Sequence, residues 1–350
     1  MSNIIEEFKK ELEQRAKAGD PDTMCEIALH CKLGSFGFKK SDRDAFKWYE
    51  RAAAMDHARG TFMLGKCYHI GSGVKEDRDK AVELYLKAEK LGLSDKFLGE
   101  LYHSIGNIYY DACMYGVSKF SGGKDYAKVI EYYEKVFDYD YFGMIAHQRL
   151  AEFYEEGLGT ERNIIKAIKH NTLGARAVNT GGAANDAGYI ARLLGEIDAD
   201  AEAAKSDENK KILGDAAYYI ASWYFDGSRE IPRHDEGVKW LKLAVKFDSI
   251  PAHYLLGTAY ENGDGIDQDI RRAVELYEKA AAAENADAQL ALARCYLNGD
   301  EPDDAECKTN DLEGSSRKNN IIKNPELAKE WLDRAAANGS SEAKKMLEEM

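Results

Sequence analysis

Proline is scarce in this sequence: five residues in 350. So few prolines leave long stretches in which every backbone amide can donate, which favours helices over a loop-rich chain. Long hydrophobic runs are missing too. No stretch approaches the roughly 18 uninterrupted apolar residues of a membrane span. The amino-terminal MSNIIEEFKKELEQRAKAGD has no apolar core of the kind a signal peptide needs. A cytoplasmic chain with no membrane partner is expected. Cysteine is sparse and unpatterned: Cys25, Cys31, Cys67, Cys113, Cys295 and Cys307 form no CxxC pair and keep no repeat-wide spacing. Reduced, mostly buried thiols are the simple reading, not a disulfide framework. Positive charge is outnumbered, 48 Lys and Arg against 62 Asp and Glu, for a net charge of −14. An acidic chain repels phosphate backbones and anionic lipid, so nucleic acid is not an expected partner. A basic protein surface is the better match, and plain solubility is the alternative use of the charge.

Repetition is what the sequence has. A block of aliphatic residue, Gly or Ala, two variable residues and Tyr occurs as LGKCY from Leu64, IGNIY from Ile105, LAEFY from Leu150, IASWY from Ile220, LGTAY from Leu256 and LARCY from Leu292. A degenerate copy, IALHC from Ile27, places Cys31 where the others have Tyr. A small residue precedes the aliphatic position by four in most copies (Gly60, Ala146, Ala216, Ala252, Ala288), so small, aliphatic and Tyr form one helical stripe. Gly follows Tyr by three residues at Gly71, Gly157, Gly227, Gly263 and Gly299, a helix stop, and a second Gly at Gly73, Gly159 and Gly265 suits a tight turn.

A second helical block then follows, with first small residues at Ala45, Ala81, Ala167, Gly237, Ala273 and Ala328, and Val129 in the third copy. Aromatics lie near its middle at Trp48, Tyr85, Tyr133, Trp240, Tyr277 and Trp331. Ser41, Asp77, Asn163, Asp269 and Asn324 stand four residues ahead of the small residue, where a side-chain oxygen can cap free amides. Each unit reads as helix, Gly turn, cap, helix. Neither helix can bury its apolar face alone, so neighbours must stack. The second-block anchors are spaced by 36, 48, 38, 70, 36 and 55 residues, which makes 36 the basic period and the longer gaps insertions.

These blocks resemble the Sel-one-like repeat (SLR), a relative of the tetratricopeptide repeat, over about residues 20–350. LGKCYHIGSGVKEDRDKAVELYLKAEKLG and LGTAYENGDGIDQDIRRAVELYEKAA carry the likeness best. The resemblance implies an all-α fold: a right-handed α-solenoid superhelix of about seven helix–turn–helix repeats with capping helices. It also implies an adaptor or scaffold whose first helices line a concave, partner-binding face. The expected organisation is an amino-terminal capping helix over 1–20 and a solenoid over 21–350. That solenoid holds an extra helical insertion at 183–211, a polar loop insertion at 300–322 and a capping helix at 340–350.

Chemistry is hard to find. SxxK, the acyl-enzyme signature of penicillin-recognising enzymes, occurs at Ser121–Lys124, Ser315–Lys318 and Ser341–Lys344, but its companions SDN and KTG are absent. FSGGKD is too short for a phosphate loop. The cluster Asp264, Asp267 and Asp269 lacks the terminal Glu of a calcium loop, and no HxxxH or HExxH occurs. No cofactor, metal or catalytic residue is expected. With the aliphatic position set to zero, positions −2, −1, +2 and +5 of the first helices face away from the core stripe. Candidate partner-binding residues there are Phe62, Lys66, His69, His103, Asn107, Tyr110, Gln148, Glu152, Tyr218, Ser222, Phe225, Tyr254, Thr258, Glu261 and Arg294. The alternative is that several of these rings pack on the next repeat. The expectation is a monomeric, non-catalytic scaffold for a protein or peptide. Its narrower form is an immunity or regulatory protein for a basic effector, and the competing class is a cell-wall or β-lactam-directed hydrolase.

Overall fold

The computed structural model describes residues 2–116, 120–139, 143–177, 183–226, 233–299, 321 and 323–350. Among these residues there are eighteen helices and no strand. The chain divides into two compact units, Met1–Asn163 and Ile164–Met350.

The first unit runs α1 (Ser2–Lys17), α2 (Pro21–Leu33), α3 (Asp42–Ala53), α4 (Ala58–Ile70), α5 (Arg78–Lys90), α6 (Asp95–Tyr115), α7 (Tyr126–Val136) and α8 (Met144–Glu156). Each helix packs on the next in sequence, and the successive first helices α2 and α4 also touch. The second unit begins with α9 (Ile164–Ala177), α10 (Ala183–Gly195), α11 (Ala199–Ala203) and α12 (Asp207–Phe225). It continues through α13 (His234–Lys246), α14 (Ile250–Asn262), α15 (Ile270–Ala282), α16 (Ala286–Asn298), α17 (Pro325–Ala337) and α18 (Ser341–Glu349). From α12 to α18 the stacking is sequential, while α9 reaches past α10 to pack on α12. Both units are all-α, built by stacking helix pairs as an α-solenoid is.

The turn between the two helices of a repeat is clamped twice. Four caps expected from the sequence accept an amide in the first turn: Ser41 from Asp44, Asp77 from Lys80, Asp269 from Arg272 and Asn324 from Leu327. The backbone amide of the same position donates back to the carbonyl of the motif tyrosine. Asp77 N reaches Tyr68 O at 2.9 Å, Asn163 N Tyr154 O at 2.7 Å, and Asp269 N Tyr260 O at 2.9 Å. In the first unit Ser41 N reaches Cys31 O at 2.8 Å, so the cysteine stands in the tyrosine's place here too. In the last repeat Asn324 N closes on Tyr296 O at 2.8 Å although 27 residues intervene. Most of the polar segment 300–322 lies outside the described residues, as does Cys307.

The second turn glycine does more than turn. Gly73 and Gly265 have φ of +74° and +71°, and a Cβ on either would meet the start of the preceding second helix, at Asp42 O and His234 C, 2.3 Å away. A turn therefore seats directly on its neighbour.

Candidate functional site

Packing decides which first-helix residues remain at the surface. In three of the pairs the core is a tyrosine of the second helix lying on a glycine of the first. Added Cβ atoms at Gly65, Gly106 and Gly257 would fall 2.9, 2.6 and 2.5 Å from the rings of Tyr85, Tyr133 and Tyr277. All three rings are fully buried. The flat ring can lie so close only because the first helix offers bare backbone there. The tryptophans Trp48, Trp240 and Trp331 occupy the preceding helical position and are half-buried, whereas Tyr49, Leu241 and Leu332 fill the buried one. The middle aromatics of the second helices are thus two adjacent positions with different faces.

Tyr85, Tyr133 and Tyr277 send their hydroxyls onto the first-helix face. Tyr85 meets His69 Nδ1 at 3.2 Å, Tyr133 donates to Asn107 Oδ1 at 2.8 Å, and Tyr277 donates to Glu261 Oε2 at 2.5 Å. Polar residues at +2 and +5 therefore anchor the core from outside. Burial lowers the pKa values of His69 and His103, with the positive charges of Arg78 and Arg149 adding to the effect, so both rings favour the neutral form.

The candidate residues separate accordingly. Phe62 is fully buried, packed between Tyr85 and Phe97 with ring centroids 5.7 and 5.8 Å away, so it cannot present its ring to a partner. Tyr110 is also buried, stacked on Phe153 and covered by the Arg149 guanidinium at 3.8 Å. In both cases a ring of the next repeat, Phe97 or Phe153, covers it. Lys66 pairs with Glu100, and Asn107 joins His103, Tyr133 and Arg149. Gln148 and Arg294 are exposed, the latter paired with Glu342, and Glu152 is half-exposed. Ser222 and Thr258 donate to carbonyls of their own helices. Tyr218, Phe225 and Tyr254 are half-exposed rings on α12 and α14. Arg149 is not among the residues that repeat spacing marks for a partner. It stands at position −1 of α8, bonds both Asn107 and the Tyr133 hydroxyl, and ties α6, α7 and α8 together. Position −1 faces away from the core stripe, but a lone Arg in one copy gives no repeating signal.

One cluster has the outline of a nucleophilic triad. Cys25 Sγ lies 3.6 Å from His57 Nδ1, and His57 Nε2 lies 3.3 Å from Asp22 Oδ1. The chemistry does not follow the outline. Cys25 is 1% exposed, and burial pushes its thiol up to about 11, so it stays protonated and poorly nucleophilic near neutral pH. His57 Nδ1 also accepts the Gly60 amide, which makes this ring a cap for α4. Burial likewise raises Cys67 to about 11 and Cys295 to about 12.

The Sel1 repeat profile matches residues 21–57, 58–93, 145–177, 214–246, 250–285, 286–308 and 312–340, well over half the chain. The chain belongs to the Sel1 repeat family. The last two matches are halves of one interrupted repeat, and residues 94–144, which hold α6 and α7, match nothing in the profile. That stretch nevertheless keeps the Gly106–Tyr133 pairing, which makes it the seventh Sel1-type pair.

Chitin synthase regulatory factor 3 of Schizosaccharomyces pombe is 24% identical over 75% of this chain and 28% of its own length. A chitin synthase regulator of Saccharomyces cerevisiae is 24% identical over 81% of this chain and 40% of its own. The chain thus spans well under half the length of these curated relatives. Among solved structures, a protective antigen of uropathogenic Escherichia coli with an SLR fold covers 95% of this chain and 65% of its own, at 22% identity and a TM-score of 0.42. A Sel1 repeat protein of Oxalobacter formigenes covers 97% and 79%, at 22% identity and a TM-score of 0.37. Among the described residues no helix is long and apolar enough to cross a membrane.

Proposed function

We propose that this Sel1 repeat chain is a non-catalytic adaptor that holds a protein or peptide along the first helices of its second unit. The observation that carries the reading is the group of half-exposed rings Tyr218, Phe225 and Tyr254 on α12 and α14. Aromatic rings with polar neighbours are the side chains that anchor interfaces. In the first unit the corresponding rings at 62 and 110 are consumed by packing. Charge favours the same half. Residues 1–163 carry 24 Lys and Arg against 28 Asp and Glu, while residues 164–350 carry 24 against 34, so most of the negative surplus is in the second unit. A basic partner would be steered toward it. Two relatives named as chitin synthase regulators fit a role exerted through protein contact.

The test is affinity capture from the native host with mass spectrometry. The double variant Tyr218→Ala, Tyr254→Ala should lose most of the captured partner while keeping the helical circular dichroism of the parent. Unchanged capture by the folded variant would overturn the reading. Raising the salt concentration should weaken capture if a basic partner is involved.

A further inference from the structure

The junction of α9 and α12 departs from every other junction in the second unit. Elsewhere a second helix hands over to the next first helix within a few residues, as from Lys246 to Ile250 and from Ala282 to Ala286. Between α9 and α12 lie α10 and α11, and α12 begins thirteen residues ahead of its aliphatic Ile220, against six for α14 and α16. Its amino-terminal turns lie along a face of α9 that other repeats leave to solvent.

A cleft of about 240 Å³ opens between these two helices. Lys169, Thr172, Leu173 and Arg176 form one wall, at i, i+3, i+4 and i+7 of α9. Glu208, Lys211, Ile212 and Asp215 form the other with the same spacing on α12. The wall charges pair incompletely: Lys169 with Glu208 at 3.1 Å, Arg176 with Asp215 at 3.5 Å. Among the described residues Lys211 has no carboxylate partner. The cleft thus holds three cations and two anions in the unit that carries most of the negative surplus.

Thr172 adds an orphaned polar atom to the cleft. It is 3% exposed, and its hydroxyl oxygen is buried with no hydrogen-bond partner among the described residues. Of the equivalent positions of other second helices, Glu50, Lys242, Glu278 and Asp333 are exposed and Leu86 and Glu134 half-buried, and none is closed off as Thr172 is. A buried hydroxyl without a partner costs stability. Leu173, 39% exposed, and the buried Ile212 supply apolar surface beside it.

We propose that this cleft binds a carboxylate carried on a short aliphatic group, with Lys211 and the Thr172 hydroxyl on the anion and Leu173 and Ile212 against the aliphatic part. The volume suits one or two residues of peptide or a small organic acid. The site is separate from the aromatic rings of α14 and does not depend on them.

Titration of the full chain with N-acetyl-leucine, followed by nuclear magnetic resonance, tests this. The acid should bind roughly tenfold or more tightly than N-acetyl-leucinamide, which keeps the aliphatic group and loses the charge. An amidated pentapeptide with a central Leu-Asp distinguishes the source. Tighter binding than the acid assigns the carboxylate to a partner's side chain, and weaker binding assigns it to a free acid or chain terminus. Lys211→Ala, at an exposed position, should weaken the acid several-fold. Thr172→Val should weaken it too while leaving the melting temperature unchanged or raised, because the valine removes an unpaired hydroxyl; a purely structural threonine would lower it. Equal binding of acid and amide, no binding of either, or full binding by both variants overturns the proposal.

Discussion

A single glycine–tyrosine contact sets how closely two helices can approach, and its sign can be reversed. Replacing Gly257 with Ala gains about 1 kcal/mol of helix propensity. It also drives a Cβ into the Tyr277 ring, 2.5 Å away. Overpacking of that kind costs about 1–3 kcal/mol, so the clash wins and Gly257→Ala should destabilise. In a Tyr277→Leu background the ring is gone, and Gly257→Ala should become neutral or stabilising, as the natural pairs Ala221 with Leu241 and Ala293 with Leu332 suggest. Urea denaturation of the four-member cycle reads the sign change. A second residue-scale effect is acid sensitivity. Folding lowers the His69 and His103 pKa values, chiefly by burial. Below the unfolded value of about 6.5 the unfolded chain takes up protons that the folded chain refuses, so stability falls as pH drops through that region. His69→Gln should lose less stability than the parent between pH 7.5 and 5.5, by comparison of denaturation midpoints.

At the scale of elements, the clamp between cap and motif tyrosine tells how a repeat tolerates extra sequence. Eight residues lie between Tyr68 and Asp77 and between Tyr260 and Asp269, but 27 between Tyr296 and Asn324, and the backbone bond is the same length to within about 0.1 Å. Closing a loop three times longer costs only about 1 kcal/mol by chain statistics. Replacing residues 297–323 with the eight-residue turn from the preceding repeat, ENGDGIDQ, should raise the melting temperature by a few degrees and leave helix content unchanged. A large loss of stability would mean that the insert packs on the array. The helices, the stops at Gly71, Gly157, Gly263 and Gly299 and the caps Ser41, Asp77, Asp269 and Asn324 were legible in the sequence because they depend on one or two residues at fixed spacing. The expected stop at Gly227 lies outside the described residues. Asp77, Asp269 and Asn324 needed no knowledge of neighbours. His57 as a cap for α4 was not legible, since its ring joins Asp22 and Cys25 only after α2 and α4 stack.

For the whole molecule, sequence spacing identifies a face but not what that face retains after stacking. Phe62 and Tyr218 share position −2, yet the first is buried and the second half-exposed. The difference comes from the following element: Phe97 of the long helix α6 reaches over Phe62. Spacing within one repeat carries no information about the reach of the next. The α9–α12 cleft was unreadable for the same reason, since Thr172 differs from a surface threonine only through what an inserted segment lays across it. The donor–acceptor stem between Tyr296 and Asn324 has a historical consequence. Both helices it joins are held at the stem itself, so a lineage can lengthen or shorten the segment between them at the modest cost of closing the loop.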